Sequence, residues 1–267
     1  MKIVILMGSP RKKDGFKVCE KIKESLVERL GKEITFEYIM LRELRIEECR
    51  GCEQCLVRGE QYCPIKDGVY EIVEKMKGAD GIIIESPVYA CQVSGTIKKM
   101  IDRVSYLFHR PELLAKPIIT VLTTAGGGIK PTKNYLKLVA DGWGCHLDGQ
   151  LQVVCTRYFD RRWGGVENPQ YKRKIDDQIE QITERFVKDM QSRLTGEMPK
   201  PTLYDIYMFN ALRSKTYTSV VDHKYWQEKG WMEKRYYYET KLPLGSGMIE
   251  KLMNQMIKMM VKKMGIQ

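Results

Sequence analysis

The chain has 267 residues, 43% of them hydrophobic and 30% charged, which suits a soluble globular protein with its own core and excludes a disordered one. No run of about 18 apolar residues occurs, and the apolar run at the amino terminus is too short for a secretion signal, so a transmembrane segment is excluded and a cytoplasmic location expected. Lysine and arginine (45) exceed aspartate and glutamate (34), a net charge of +11, but the excess is spread without a basic block, which disfavours nucleic acid as the partner.

Strands and helices alternate up to about residue 195. Lys2–Met7 is a β-branched apolar run ending at a glycine and reads as a buried strand. Val18, Ile22, Leu26 and Leu30 form a helical stripe over Lys17–Leu30, closed by Gly31. Ile34–Met40 follows as a second strand, then an irregular cysteine-rich loop over 47–66. Asp67 is placed to cap a helix running to Lys77. Gly81–Glu85 is a short, fully buried strand, Ser94–Leu107 a helix, Pro117–Thr124 a strand and Pro131–Ala140 a helix. Leu147–Cys155 completes the strands, and Asn168–Leu194 is a long polar helix. Apolar strands alternating with helices imply a parallel sheet covered on both faces. Five strands give the flavodoxin-like three-layer sandwich of order 2-1-3-4-5. After Gly196 the composition turns rich in Met, Tyr and Trp. Residues 196–267 therefore read as a mostly helical extension rather than a second self-sufficient domain.

Ligands of such sheets sit at the carboxyl ends of the strands, where three unusual loops fall. The first, Gly8-Ser9-Pro10-Arg11-Lys12-Lys13-Asp14-Gly15, offers Ser9, helix amides, Arg11, Lys12 and Lys17 to an anion. It is neither a Walker loop nor a dinucleotide fingerprint, and a plain strand–helix turn with a basic surface is the alternative. The second, Ser86–Gly95, is stiffened by Pro87 and brings Tyr89 to lie against a flat ring. The third, Thr123-Thr124-Ala125-Gly126-Gly127-Gly128, leaves room and backbone amides for a planar heterocycle. One phosphate loop and two ring-edge loops on the same rim fit FMN.

GSPRK after the first strand, SPVY-x3-VSG-x2-K-x3-DR from Ser86 to Arg103, and TTAGGG after the fourth strand resemble the flavodoxin-fold NAD(P)H-dependent FMN reductases. The cysteine loop resembles their iron–sulfur flavoprotein branch. The resemblance covers about residues 1–195. It implies FMN held by Ser9 and Arg11 at the phosphate, by Pro87, Val88 and Tyr89 beside the ring, and by Thr124, Ala125, Gly126 and Gly127 at its other edge. It also implies NAD(P)H as electron donor and a homodimer or dimer of dimers. Where the family often has Gly-Asn-Thr, this chain has Asp14-Gly15-Phe16-Lys17; a hydroxyl donor is lost, and Lys17 is the replacement on offer. Lys98, Asp102 and Arg103 match the pattern and read as structural ion pairing at the helix or dimer face.

Four of the eight cysteines lie in one short segment, Cys49-x2-Cys52-x2-Cys55-x7-Cys63, with Pro64 next. In a reducing compartment this spacing points to metal or redox chemistry rather than disulfides. A [4Fe–4S] cluster suits it, and zinc or thiols without a metal are the alternatives. Of the other cysteines, Cys91 is expected closest to the ring. His109, His146 and His223 show no metal-ligand spacing and read as structural, as do Trp143 and Trp163, although the Trp163 loop has the reach to meet a neighbouring active site. No triad or paired carboxylates stand out for hydrolysis. In Met248–Met264 apolar residues recur at three- and four-residue steps between lysines. That face suits a dimer contact first and peripheral membrane contact second.

Overall fold

The computed structural model describes residues 1–159 and 168–264, so Trp163 lies outside the described residues. Five strands form one sheet: β1 (Lys2–Met7), β2 (Thr35–Met40), β3 (Gly81–Pro87), β4 (Pro117–Thr124) and β5 (His146–Val154). Every pairing is parallel and the spatial order is β2-β1-β3-β4-β5, as the alternating pattern requires. The helices are α1 (Asp14–Leu30), α2 (Gln54–Val57), α3 (Val69–Lys77), α4 (Gly95–Arg103), α5 (Ile129–Gly142), α6 (Cys155–Tyr158), α7 (Pro169–Leu194), α8 (Leu203–Arg213), α9 (Val220–Glu228) and α10 (Ser246–Met264).

The period-two alternation of the strands builds two cores. Ile3, Ile5 and Met7 join Ile83, Ile119, Val121 and Leu151 under α1 and α7, whose inward stripes include Val18, Ile22, Leu26, Ile179 and Phe186. Val4 and Leu6 join Ile82, Ile84, Ile118 and Leu122 on the opposite face under α3, α4 and α5, and Trp143 packs in that core. Strands β3 and β4 are buried along their whole length, so even their polar ends are cut off from water.

Helix boundaries differ from the sequence expectation where local chemistry intervenes. Helix α1 starts one turn earlier, at Asp14. Gly68, not Asp67, occupies the cap position of α3. The Asp67 carboxylate does accept from Val69 N–H at 3.3 Å, but it is also held by Arg103. The helix expected over Ser94–Leu107 breaks at Val104 into α4 and a 3-10 turn, Ser105–Phe108.

The region after residue 196 has its own aromatic cluster, in which Phe209, Leu212, Trp226, Trp231 and Tyr237 are buried. It is fixed to the sheet domain by specific bonds. Trp226 Nε1 donates to the His109 carbonyl at 2.8 Å, and Ser219 Oγ donates to the Leu56 carbonyl at 3.0 Å. His109 Nδ1 lies 2.7 Å from an Asp222 carboxylate oxygen, and Arg110 pairs with the other oxygen. His109 is thus structural, as its isolation in sequence suggested.

Candidate functional site

Three strand ends are tied into one rim. Gly8 N–H donates to the Glu85 carbonyl at 2.8 Å, and Val88 N–H to the Thr123 carbonyl at 2.7 Å. Ser94 caps α4, accepting from Ile97 N–H, while its hydroxyl donates to the Gly8 carbonyl at 2.8 Å. One residue therefore fixes both the start of α4 and the end of β1. The loops enclose a cavity of about 360 Å³ lined by Ser9, Arg11, Lys13, Asp14 and Gly15 at one end and by Pro87, Val88, Tyr89, Thr123, Thr124, Ala125, Cys155 and Thr156 along the other walls. That volume falls in the range of small-molecule sites.

The first end is built for an anion. Helix α1 has 17 residues and no side-chain cap at Lys13. Its first-turn N–H groups have no partners within the helix, and the positive end of its dipole faces the same space as Arg11 and Lys13. Ser9 folds the loop: its hydroxyl donates to the Arg11 carbonyl at 2.8 Å.

The other walls are flatter. Tyr89 and Gln92 exchange two backbone hydrogen bonds of 2.9 Å around Ala90 and Cys91, both with positive φ (47° and 61°). Such non-glycine conformations cost energy and cluster at ligand sites. The tight turn holds Tyr89 in the wall with nearly half its surface open to solvent. Gly128 has φ of +80°, and a Cβ there would meet Val88 Cγ1 and Cys91 Cα at 2.9 Å. Only glycine lets the β4 loop close against the β3 loop.

Ser9, Arg11, Pro87, Val88, Tyr89, Thr124 and Ala125 come together as expected from the sequence. Lys12, Lys17, Gly126 and Gly127 are not part of the cavity wall. The earlier start of α1 turns Lys13 toward the cavity. Lys12 instead lies over the Phe16 ring at 5.9 Å and Lys17 over the Phe159 ring at 5.8 Å. The expected amide donor at Gly126 is occupied, since it donates to Thr124 Oγ1 at 3.1 Å, and that hydroxyl donates to the Gly127 carbonyl. Cys155 lines the cavity, whereas Cys91 is exposed against Gly128.

Glu85, at the end of β3, is the residue the sequence reading missed. It is fully buried, accepts from Ser9 N–H at 3.0 Å and lies 3.3 Å from the Thr123 hydroxyl. A Cβ on Gly15 would stand 1.9 Å from its Oε1, so the carboxylate sits directly against the turn that enters α1. Burial pushes its pKa up to about 7, against the lowering pull of those hydrogen bonds. A lone acid closing the run Gly81-Ile-Ile-Ile-Glu85 is the one signal that was available.

A family model described as NADPH-dependent FMN reductase matches residues 1–159. An iron-sulfur flavoprotein of Methanosarcina thermophila is 36% identical over 168 residues, 62% of this chain and 82% of that protein. One from Archaeoglobus fulgidus is 27% identical over 235 residues, 87% of this chain and 100% of the relative. Another from the same organism is 42% identical over 103 residues, 39% of this chain and 48% of that protein's length. The chain belongs to the NADPH-dependent FMN reductase family, in its iron–sulfur flavoprotein branch.

Solved structures agree on the fold. A complex of RosB with 8-demethyl-8-formylriboflavin-5'-phosphate aligns with a TM-score of 0.53 at 12% identity, covering 91% of this chain and 92% of RosB. An FMN-dependent NADH-azoreductase from Bacillus anthracis, solved with FMN, aligns with a TM-score of 0.50 at 18% identity, covering 69% of this chain and 99% of that one. With the family established, the chain is an FMN-dependent oxidoreductase.

The cysteine loop that marks this branch is anchored by two buried arginines. Arg103 pairs with Asp67, donates to the Ile65 carbonyl at 3.2 Å and brings Nη2 to 3.8 Å from Cys63 Sγ. Arg110 donates to the Cys55 carbonyl at 2.6 Å, pairs with Glu60 at 3.1 Å and with Asp222 of α9. Arg103 is thus an internal clamp of the cysteine loop rather than a dimer-face residue. Lys98 and Asp102 pair along α4 as expected. Burial alone would raise the Cys63 pKa; the Ile65 amide, the Tyr70 hydroxyl and Arg103 together lower it. Burial raises that of Cys55, with Cys63 and Cys49 near enough to add to the effect. None of the four is paired in a disulfide. Four thiols in one arginine-braced loop are a donor set that an iron–sulfur group or a single zinc ion would accept.

Proposed function

We propose that this flavoprotein passes electrons from NAD(P)H, or from a reduced carrier, to an acceptor such as a quinone, a free flavin or an iron–sulfur centre. The observation that carries the reading is a single cavity with a cationic, helix-capped end and flat walls from two interlocked loops. Bound FMN supplies the hydride and single-electron chemistry. The chain's part is to bind and orient. Arg11, Lys13, the Ser9 turn and the amides of α1 hold the phosphate, with Lys12 and Lys17 adding positive charge nearby. Pro87, Val88 and Tyr89 lie beside the ring. Thr124 and Ala125, with the backbone of Gly126 and Gly127, border its other edge. The solvent-exposed side of Tyr89 leaves access for a donor or acceptor.

A second reading, an electron carrier without a small-molecule substrate, is favoured by the cysteine loop. Cys49, Cys52, Cys55 and Cys63 would hold a [4Fe–4S] cluster, with Arg103 and Arg110 offsetting thiolate charge and fixing the loop. In this proposal residues 1–195 form the flavin domain, and 196–267 an extension that braces the cysteine loop and builds a homodimer or a dimer of dimers. α10 supports that assembly. Met253 and Ile257 are buried, while Met248, Leu252, Met256 and Met259 form a face 55–68% exposed. No described helix is long and apolar enough to cross a membrane, and eight free thiols suit the reducing cytoplasm. The deciding experiment is anaerobic purification followed by an absorbance spectrum, iron analysis and steady-state NAD(P)H oxidation with quinone or free flavin as acceptor. Turnover with flavin peaks supports the reductase. Flavin and iron without turnover supports the carrier, and protein that takes up no FMN defeats both.

A further inference from the structure

We propose that His146, Asp148 and Asp189 form a binding site for one divalent first-row metal ion, at the end of the sheet opposite the flavin cavity. One ligand atom from each residue lies within 4.8 Å of the other two. His146 Nε2 is 3.3 Å from Asp189 Oδ2 and 3.7 Å from Asp148 Oδ1. Donors around a tetrahedral ion with bonds near 2.0–2.1 Å stand about 3.4 Å apart, so the three groups already approach a metal's spacing. Two carboxylates and a neutral imidazole match the charge of a divalent cation. The mixed nitrogen and oxygen set suits Zn²⁺ or Mn²⁺ and differs in kind from the thiols of the cysteine loop.

The second observation is Asp148 itself. Its side chain is 1% exposed, and among the described residues no N–H or O–H donor reaches either carboxylate oxygen; only the Asp189 carboxyl is close enough to hydrogen-bond it, which requires one of the two acids to carry a proton. A buried carboxylate without such a donor is costly, and a second carboxylate facing it makes it costlier. The backbone places it there. The β4–β5 register runs Ile118 with Leu147 and then Ile119 with Gly149, so Asp148 is the extra residue of a β-bulge, a device that re-aims a side chain. Asp189 is supplied by α7. His146 is about a third exposed and borders an open groove of about 220 Å³, which gives the ion access and leaves a coordination position for water. The sequence hid this set because Asp189 lies far along the chain from the His146-x-Asp148 pair. The competing positive charges are Arg193, whose Nε and Nη1 have no partners among the described residues and whose charge acts on both Asp148 and His146, and Arg185, which acts on Asp148.

The test is equilibrium dialysis of the full-length protein, with its flavin, against Mn²⁺ and separately Zn²⁺. Bound metal per chain is counted by mass spectrometry, and thermal melts are run without metal and with each of the two ions. The wild type should hold one equivalent more of at least one of these ions than Asp148→Asn, and Mn²⁺ or Zn²⁺ should raise its Tm but not the variant's. Metal on the cysteines is common to both proteins and cancels in the difference. Equal metal content in the two proteins overturns the site. In that outcome the Asp148 carboxyl is kept neutral by a proton or is neutralised by Arg193, and Asp148→Asn melts at or above the wild type whatever metal is added. Should Asp148→Asn fail to fold, His146→Gln, at a partly exposed position, provides the same comparison.

Discussion

Glu85 should couple proton binding to flavin affinity, and the expected size of the effect follows from its position. The carboxyl is fully buried against Ser9 and Gly15, with its pKa near 7. Its ionised form places a negative charge beside the turn proposed to take the phosphate, so on that proposal the protonated form is the one competent for tight binding. With a pKa of about 7, roughly ten-elevenths of the molecules are competent at pH 6 and one-eleventh at pH 8, so apparent FMN affinity falls at most about tenfold across that interval. The same group acts on folding. A carboxyl whose folded pKa is raised stabilises the fold fully below its unfolded value, the ordinary 4.5, and loses that contribution as pH climbs through about 7. The loss is about 3 kcal/mol at 1.4 kcal/mol per unit. Flavin fluorescence titrations of wild type and Glu85→Gln from pH 6 to 8 separate this from ionisation of the FMN phosphate, which both proteins share. The wild type should weaken up to tenfold more than the variant, and riboflavin, lacking the phosphate, should show little of the difference. Matching pH profiles for the two proteins would refute the coupling.

Asp222→Ala should be among the most damaging single changes outside the cavity. It removes the buried one of Arg110's two carboxylate partners and leaves the partly exposed Glu60, so the cost approaches, as an upper bound, the roughly 3–5 kcal/mol of breaking a buried pair. A Tm drop on the order of 10 °C is expected for a chain of this size, with faster alkylation of Cys55; a drop of a degree or two would show that the pair contributes little. On α10, Leu252→Lys with Met256→Lys should lower the mass seen by light scattering while leaving the visible spectrum unchanged. An unaltered mass would remove that face from assembly.

The parts legible from sequence are those governed by short-range periodicity. β1 and β4 need only their own apolar runs and have the expected bounds, and α7 starts one residue after the expected Asn168, which caps it by accepting from Tyr171 N–H. Rim residues such as Pro87 and Tyr89 were legible because loops at strand ends have few places to go. Lys13 was not, because which lysine faces an anion depends on helix phase. Moving a start by three residues rotates the face by about 300°, and the uncapped entry at Lys13 carries no sequence mark of where the turn begins. Glu85, Asp148 and Asp222 were hidden for a different reason. An acid in a sequence reads as surface, yet each of these is buried by partners or packing set at long range: Ser9 and Gly15 against Glu85, a bulge under Asp148, and Arg110 across 112 positions from Asp222. Burial of an acid costs too much to persist by accident, so the residues least legible in the sequence are the ones whose protonation or pairing the fold has committed to a task. Two of the three, Glu85 and Asp222, brace the loops that would carry the flavin phosphate and the cysteine-bound group, while Asp148 lies at the far end of the sheet. Its burial therefore calls for an explanation independent of electron transfer, and a cation shared with His146 and Asp189 supplies one.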